Sequence, residues 1–334
     1  MKLSAVGEFG FISRIRKKSL NSPNVLLGIG DDAAATIMTP GMVLLSTADM
    51  LAEGVHFDLA WSDPTCLGRK SLAVNLSDIA AMGGIPRYAL LSIAIPPQLS
   101  LEFMESFING FLEQAGKFGV SLIGGDTSSS KERLVISVTL LGEQYPERIV
   151  RRSGAVVGDI ICMSGTPGDS ALGLDQLKSG CRSGEAVKRH LDPVPRVELG
   201  RALAERGIPT AMIDISDGLA ADLGHILESS SKGARVCIDA VPLSGSFTGS
   251  VPKSSPDFYR LPFAGGEDYE LLFTLHPSKL KDAEDAAATA GTPVTVIGEI
   301  TGETGLFIAN SDGSRYDIMF SGYDHFSRKV KESF

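Results

Sequence analysis

The chain has 334 residues, too many for one ordinary hydrophobic core, so two domains are expected. It is 43% apolar and 21% charged with no low-complexity tract, the composition of folded globular protein. A formal net charge of −9 argues against a nucleic-acid surface, which needs clustered Lys and Arg. A small anionic substrate stays open, because a bound metal reverses the local sign. The opening MKLSAVGEFGFISRIRKK carries charges where a signal peptide has its apolar core, and no apolar run reaches the ~18 residues that span a bilayer. Cys66, Cys162, Cys181 and Cys237 lack zinc or redox spacing, so unpaired thiols in a cytoplasmic protein are expected.

In chain order, MVLLSTAD (42–49) reads as a strand running into a loop. From Pro64 to Met82 the apolar residues Leu67, Leu72, Leu76, Ile79 and Ala80 have helical spacing. Within it, NLSDIAAMGG also reads as a turn in which Ser77 and Asp78 cap a short helix. YALLSIAIP (88–96) is a strand stopped by prolines, and 100–119 an amphipathic helix capped by Ser100 and ended by Gly119. VSLIGGD (120–126) and RLVISVTLLGE (133–143) read as strands joined by a TSSSK loop. The basic, glycine-bearing stretch RIVRRSGAVVGD (148–159) marks the expected boundary between domains 1–147 and 148–334. Beyond it the pattern predicts strands at 160–163, 211–214, 235–239, 269–275, 294–300 and 305–309. Helices are expected near 168–179, 195–206, 217–230 and 278–290, with 244–256 a flexible Ser/Gly/Pro-rich insertion. Both halves are α/β in kind.

Carboxylates recur at predicted loop positions beside glycine or small residues: Asp31 and Asp32, Asp49, Asp78, Asp126, Asp214 and Asp217, Glu267 and Asp268. Any one suits a turn or cap. If the loops converge, two such charges 4 Å apart repel by about 4 kcal/mol at an effective dielectric of 20, so convergence demands cations. Oxygen-only ligands favour Mg²⁺ or Ca²⁺ over zinc, and Asp-held Mg²⁺ commonly serves polyphosphates. Neither a Walker A sequence nor the protein-kinase motifs occur. A phosphate site would then use Gly124 and Gly125 for close backbone approach and Arg151 or Arg152 as a cationic clamp.

The ordered motifs GIGDDAA, STADMLAEGVHF, KSLAVNLSDIAAMGG, LIGGDTS, RRSGAVVGD, GTPGDSALGL, HLDPVPR, DISDGLAADL and GGEDYELLF extend the reading. Together they resemble the thiamine-monophosphate kinase family, relatives of aminoimidazole ribonucleotide synthetase, over nearly the whole chain. The resemblance implies a two-domain fold with mixed sheets flanked by helices, and transfer of the ATP γ-phosphate to thiamine monophosphate. It implies several Mg²⁺ ions held by Asp32, Asp49, Asp78, Asp126, Asp214 and Asp217, with Thr47 standing in for a hydroxyl that the family usually carries where this chain has Ala48. It assigns ATP contacts to Gly125, Asp126, Arg152 and Ser216, and substrate contacts to His56, Glu267 and an aromatic of GYDHF, Tyr323 or Phe326. Asp78 and Asp217 are expected to face a shared cluster. No catalytic side chain is implied beyond Arg152 as a charge clamp, and relatives of this architecture are expected to be homodimers. His190 and His225 are expected to be structural, Met82 to be core, and Phe118 to be core or to flank the adenine. The other readings are an aminoimidazole ribonucleotide synthetase-like enzyme and a catalytically silent metal- or nucleotide-binding protein. A selenophosphate synthetase would need a reactive Cys or selenocysteine near its N-terminus, whereas the first cysteine here is Cys66.

Overall fold

A computed structural model describes residues 5–20 and 22–316. The first half contains α1 (Gly7–Lys18), β1 (Val25–Leu27), β2 (Ala35–Thr36), β3 (Val43–Ala52), α2 (Pro64–Ala81), β4 (Ile85–Ile95), α3 (Leu101–Lys117), β5 (Ser121–Ser129) and β6 (Val135–Gln144). Next come β7 (Ile160–Ser164), α4 (Asp169–Lys178), α5 (Glu185–Leu191), α6 (Val197–Glu205), β8 (Ala211–Asp214), α7 (Leu219–Ser230) and β9 (Gly233–Cys237). The chain continues through α8 (Gly245–Ser250), α9 (Asp257–Ala264), β10 (Leu271–Leu275), α10 (Leu280–Thr289), β11 (Val294–Thr301) and β12 (Gly305–Ala309).

Strands β3-β6-β4-β5 form one sheet, β12-β9-β11-β7-β10-β8 another, and β1-β2 a small ribbon. Both larger sheets are mixed: β4/β5 and β12/β9 run parallel and the other pairs antiparallel.

Alternation along each strand decides which core a residue joins. In the six-stranded sheet, Ile161, Met163 and Ile213 pack with Leu219, Leu223 and Ile226 of α7. Cys162, Met212 and Phe273 face the other way, joining Leu199 and Leu203 of α6 and Ala283 of α10. That second core is continuous with Phe107, Leu72 and Val138 of the first half. The halves thus share hydrophobic substance, and the helix between them is α2.

Residues Leu67–Ala81 of α2 are buried almost throughout. Asp63 caps the helix, accepting the Thr65 and Cys66 N–H groups, and Pro64 occupies the first position, where its missing N–H costs nothing. Glycine lets α6 approach: a Cβ on Gly200 would overlap the Ala80 carbonyl oxygen. Ser77 and Asp78 lie well inside this helix, so the expected turn at Asn75–Asp78 does not exist and neither residue is an N-cap.

Three further expectations change. The stretch 244–256 is a packed element, for Phe247 of α8 is fully buried against Leu172, Ala186 and Phe258, and Ser244 caps the helix. Met82 is 37% exposed at the end of α2 instead of lying in the core. The TSSSK stretch is mostly strand, since β5 continues to Ser129 alongside β4.

Candidate active site

Three elements from both halves bring three carboxylates together. Asp49 lies on β3 in one row with the buried Val138 and Leu91, so it faces α2. Asp78 comes from α2 and Asp214 from the end of β8. The Thr47 hydroxyl, two residues before Asp49 on the same strand face, donates to Asp78. The Ser77 hydroxyl donates to Asp214 at 2.6 Å, crossing between the halves. Ala48 alternates to the exposed outer face, so a hydroxyl there would point away from this cluster.

Burial and mutual repulsion disfavour ionisation of all three. Asp49 is pushed up to about 6 by burial and then by Asp78. Asp214 rises to about 8, first from burial and then from Asp78. Asp78 is raised by burial, opposed by the Thr47 hydrogen bond and the Arg152 charge. Tyr269 is buried beside them, its phenol held well above the usual range by burial and then by Glu267, Asp49, Asp214 and Asp78. The hydroxyl therefore stays protonated.

Adjacent to the acids lies a second constellation. Lys70 of α2 is 2% exposed, and its Nζ reaches Glu267 Oε1 at 3.2 Å and Oε2 at 3.3 Å. It also meets the His190 carbonyl at 3.0 Å and the His56 carbonyl at 3.5 Å. His56 Nδ1 accepts the Ala52 N–H at 3.1 Å, which makes Nε2 its protonated nitrogen when neutral. His190 Nδ1 lies 3.3 Å from Glu267 Oε2, but burial, then Lys70, pushes the imidazole down to about 2. It is neutral, so this contact is not an ion pair. Among the described residues no well-aligned hydrogen-bond donor reaches the buried Glu267 Oε1.

The expected residues separate into groups. Asp49, Asp78 and Asp214 converge, and His56 and Glu267 meet at one ammonium. Asp32 and Asp126 are exposed, and no described hydrogen bond joins either to the three acids. Asp126 pairs with Ser92, in the row next to that of Asp49 and so on the opposite sheet face. Asp217 sits beside Asp222 and His225, whose ligand atoms lie within 4.8 Å, whereas the acid from its loop that couples to Asp78 is Asp214. Asp222 itself accepts the N–H groups of Ser216, Asp217 and Gly218 at 3.0 Å each, shaping that loop. Gly125 has φ +149°, and a Cβ there would overlap the Leu91 carbonyl, so strand pairing alone requires glycine. Arg152 is exposed and acts on Asp78 by charge. Asp268 is buried and accepts the Gly168 and Ser170 N–H groups, a loop-organising role distinct from that of Glu267. Phe118 lines a separate groove of about 440 Å³ with Pro86, Val197 and Arg201. Tyr323 and Phe326 lie outside the described residues.

Sequence reasoning missed Lys70, Ser77 and Tyr269 as parts of the site. One signal was present for Lys70: a lone ammonium inside the otherwise buried run LGRKSLAVNLSDIAA needs a buried partner.

Fold and site together define a class. Residues 30–144 match the family described as AIR synthase related protein, N-terminal domain, and residues 156–309 the corresponding C-terminal domain. A thiamine-monophosphate kinase of Haemophilus influenzae is 39% identical, covering 96% of this chain and 98% of its own. The crystal structure of thiamine-monophosphate kinase from Stenotrophomonas maltophilia superposes with a TM-score of 0.84 at 36% identity, covering 93% of this chain and 98% of that one. The complex of AaThiL with AMPPCP and TMP gives 0.76 at 34% identity, covering 98% and 99%. The chain belongs to the thiamine-monophosphate kinase family.

Proposed function

We propose that this kinase joins ATP to thiamine monophosphate at the Asp49–Asp78–Asp214 cluster, forming thiamine diphosphate and ADP. The carrying observation is that half-buried Asp49 and Asp78 and buried Asp214 come together from both halves, and among the described residues Arg152 is the cation that favours ionisation of Asp78. The donor set consists of carboxylate and hydroxyl oxygens, which fits Mg²⁺. Asp49, Asp78 and Asp214 would hold it, and once bound it supplies the charge neutralisation that lets two phosphates approach. Asp32, Asp126 and Asp217, with Gly125 and Ser216, are assigned to the nucleotide side and its further ions. Their exposed or half-exposed positions leave them reachable by a polyphosphate.

In the proposed reaction an already ionised oxygen of thiamine monophosphate attacks the γ-phosphorus in line. The new P–O bond forms as the bond to the β,γ-bridging oxygen breaks and ADP leaves, so no strong general base is required. Thr47 and Ser77 orient two of the carboxylates, and Arg152 supplies charge beside Asp78. His56 and Glu267 take the thiamine end. The Glu267 side chain is 23% exposed although its Oε1 is buried against Lys70, so its open part is an acceptor suited to the substrate amine and its cationic ring.

We further infer a homodimer formed at the edge strand β3 of the four-stranded sheet, where Leu44 (47%) and Met50 (59%) are exposed, with Asp126 left open on the opposite edge strand β5. A cytoplasmic location fits the four unpaired cysteines, and no helix among the described residues is long and apolar enough to cross a membrane. The direct test supplies ATP, thiamine monophosphate and Mg²⁺ and measures thiamine diphosphate. Product that disappears with excess chelator is expected, and no product with metal present would overturn the reading.

A further inference from the structure

We propose that Lys70 is a positioning residue for the substrate, acting through Glu267 without touching the substrate itself. This rests on the reading above that Glu267 binds the thiamine end.

The Lys70 ammonium has three N–H donors and faces four oxygens: both of Glu267, and the carbonyls of His190 and His56. These belong to three separate segments, so one cation fixes where the 265–270 loop, the end of α5 and the turn carrying His56 stand relative to α2. At 2% exposure it has no route to a ligand of its own. A buried ammonium is costly unless paired, and Glu267 is the carboxylate within salt-bridge reach of it among the described residues.

Glu267 also has a backbone that needs holding. Its φ is +66°, a left-handed conformation that costs a non-glycine residue about 1–3 kcal/mol and persists only where its surroundings enforce it. The Glu267 N–H donates to the Ser216 carbonyl and the Tyr269 N–H to the Ile215 carbonyl, both at 2.8 Å. The loop bearing Glu267 is therefore tied to the segment just after Asp214, and Lys70 sets the direction of the side chain from the other half. In this arrangement a substrate whose phosphate lies at the acid cluster finds its other end facing a carboxylate already aimed.

Calorimetry of thiamine monophosphate and of a non-hydrolysable ATP analogue tests this on Lys70→Met, Glu267→Gln and the double variant. Lys70→Met should weaken thiamine monophosphate binding about tenfold or more, the range of a charge-assisted hydrogen bond, and leave the nucleotide within about twofold. In the Glu267→Gln background the same change should add less than about twofold, because the route through the carboxylate is already gone. At saturating substrate kcat should stay within about threefold, so the loss appears in KM. Lys70→Gln keeps a donor for the two carbonyls and serves if Lys70→Met does not fold, with nucleotide binding as the folding control. Equal losses for both ligands, or multiplying losses in the double variant, would show a merely structural lysine. If Glu267→Gln alone leaves thiamine monophosphate binding unchanged, the substrate reading of Glu267 falls and takes this proposal with it.

Discussion

Glu270 and Asp214 are neighbours across one ladder, for the Ile215 N–H donates to the Glu270 carbonyl at 2.8 Å, yet their carboxylates keep different company. Glu270 is 1% exposed and meets the guanidinium groups of Arg196 and Arg189 and the Ser164 hydroxyl, the last at 2.5 Å. Asp214 is 3% exposed and meets one hydroxyl, that of Ser77, with Asp78 and Asp222 adding repulsion. The first group is electrically complete within the protein. The second is complete only when protonated or when a cation arrives. Burial alone therefore does not mark a functional acid; burial without compensating charge does.

The comparison breaks most visibly through stability. Glu270→Gln leaves the Arg196 guanidinium, 13% exposed, without its carboxylate, while Arg189 keeps Glu185, and a loss of about 3–5 kcal/mol in denaturant unfolding is expected. Asp78→Asn should do the reverse in metal-free protein, leaving stability level or higher because one repelling charge is gone. Its cost should appear in turnover instead, a fall of about 10²–10³ in kcat, the size of removing one preorganised electrostatic group. An Asp78→Asn protein that is markedly less stable yet folded at assay temperature and unchanged in kcat would reverse the assignment.

The pH dependence sharpens the contrast. Asp49 and Asp214 have folded-state values of about 6 and 8, raised from 3.8. Above the unfolded value the native state binds more protons than the unfolded chain, so metal-free stability falls as pH rises. The slope is about 1.4 kcal/mol per unit for each group still protonated: Asp49 acts from pH 4 to 6 and Asp214 from 4 to 8, and Asp222, pushed up to about 7 by burial, adds to the decline up to that pH. Mg²⁺ should flatten this decline, and a stability that climbs through the same window without metal would contradict it. The smallest effect belongs to Ser77→Ala, which removes the 2.6 Å hydrogen bond to Asp214 and should cost about 1 kcal/mol.

Much of this was legible in the chain itself. Alternation and helical spacing locate β3 to β6 and α2 and α3, and the acids of STAD, NLSD and DISD stand within the wider set of loop carboxylates that the sequence singles out, where Asp217 is expected to face Asp78 and Asp214 does so instead. No turn forms at Asn75–Asp78, although Ser and Asp favour helix ends, because Ser77 finds a partner across the junction on β8 and Asp78 one on β3 of its own half, which hold both inside the helix. Helix α8 was hidden because glycine and serine dominate it, and only Phe247 signals burial. Helix α9 carries an internal Pro262, which reads as a break. The local sequence shows only that Lys70 needs a buried partner; which carboxylate it meets, like the surroundings of Tyr269, depends on residues far apart in sequence.

The claim that the acid cluster is built for a cation meets its most direct test in proton release. Mg²⁺ titrated into metal-free protein at pH 7, in buffers of different ionisation enthalpy, should expel about one proton, since Asp214 is largely protonated there and must ionise to bind. Asp214→Asn should bind the ion weakly and release almost none. Equal binding and equal release in the wild type and this variant would place the metal elsewhere and contradict the account.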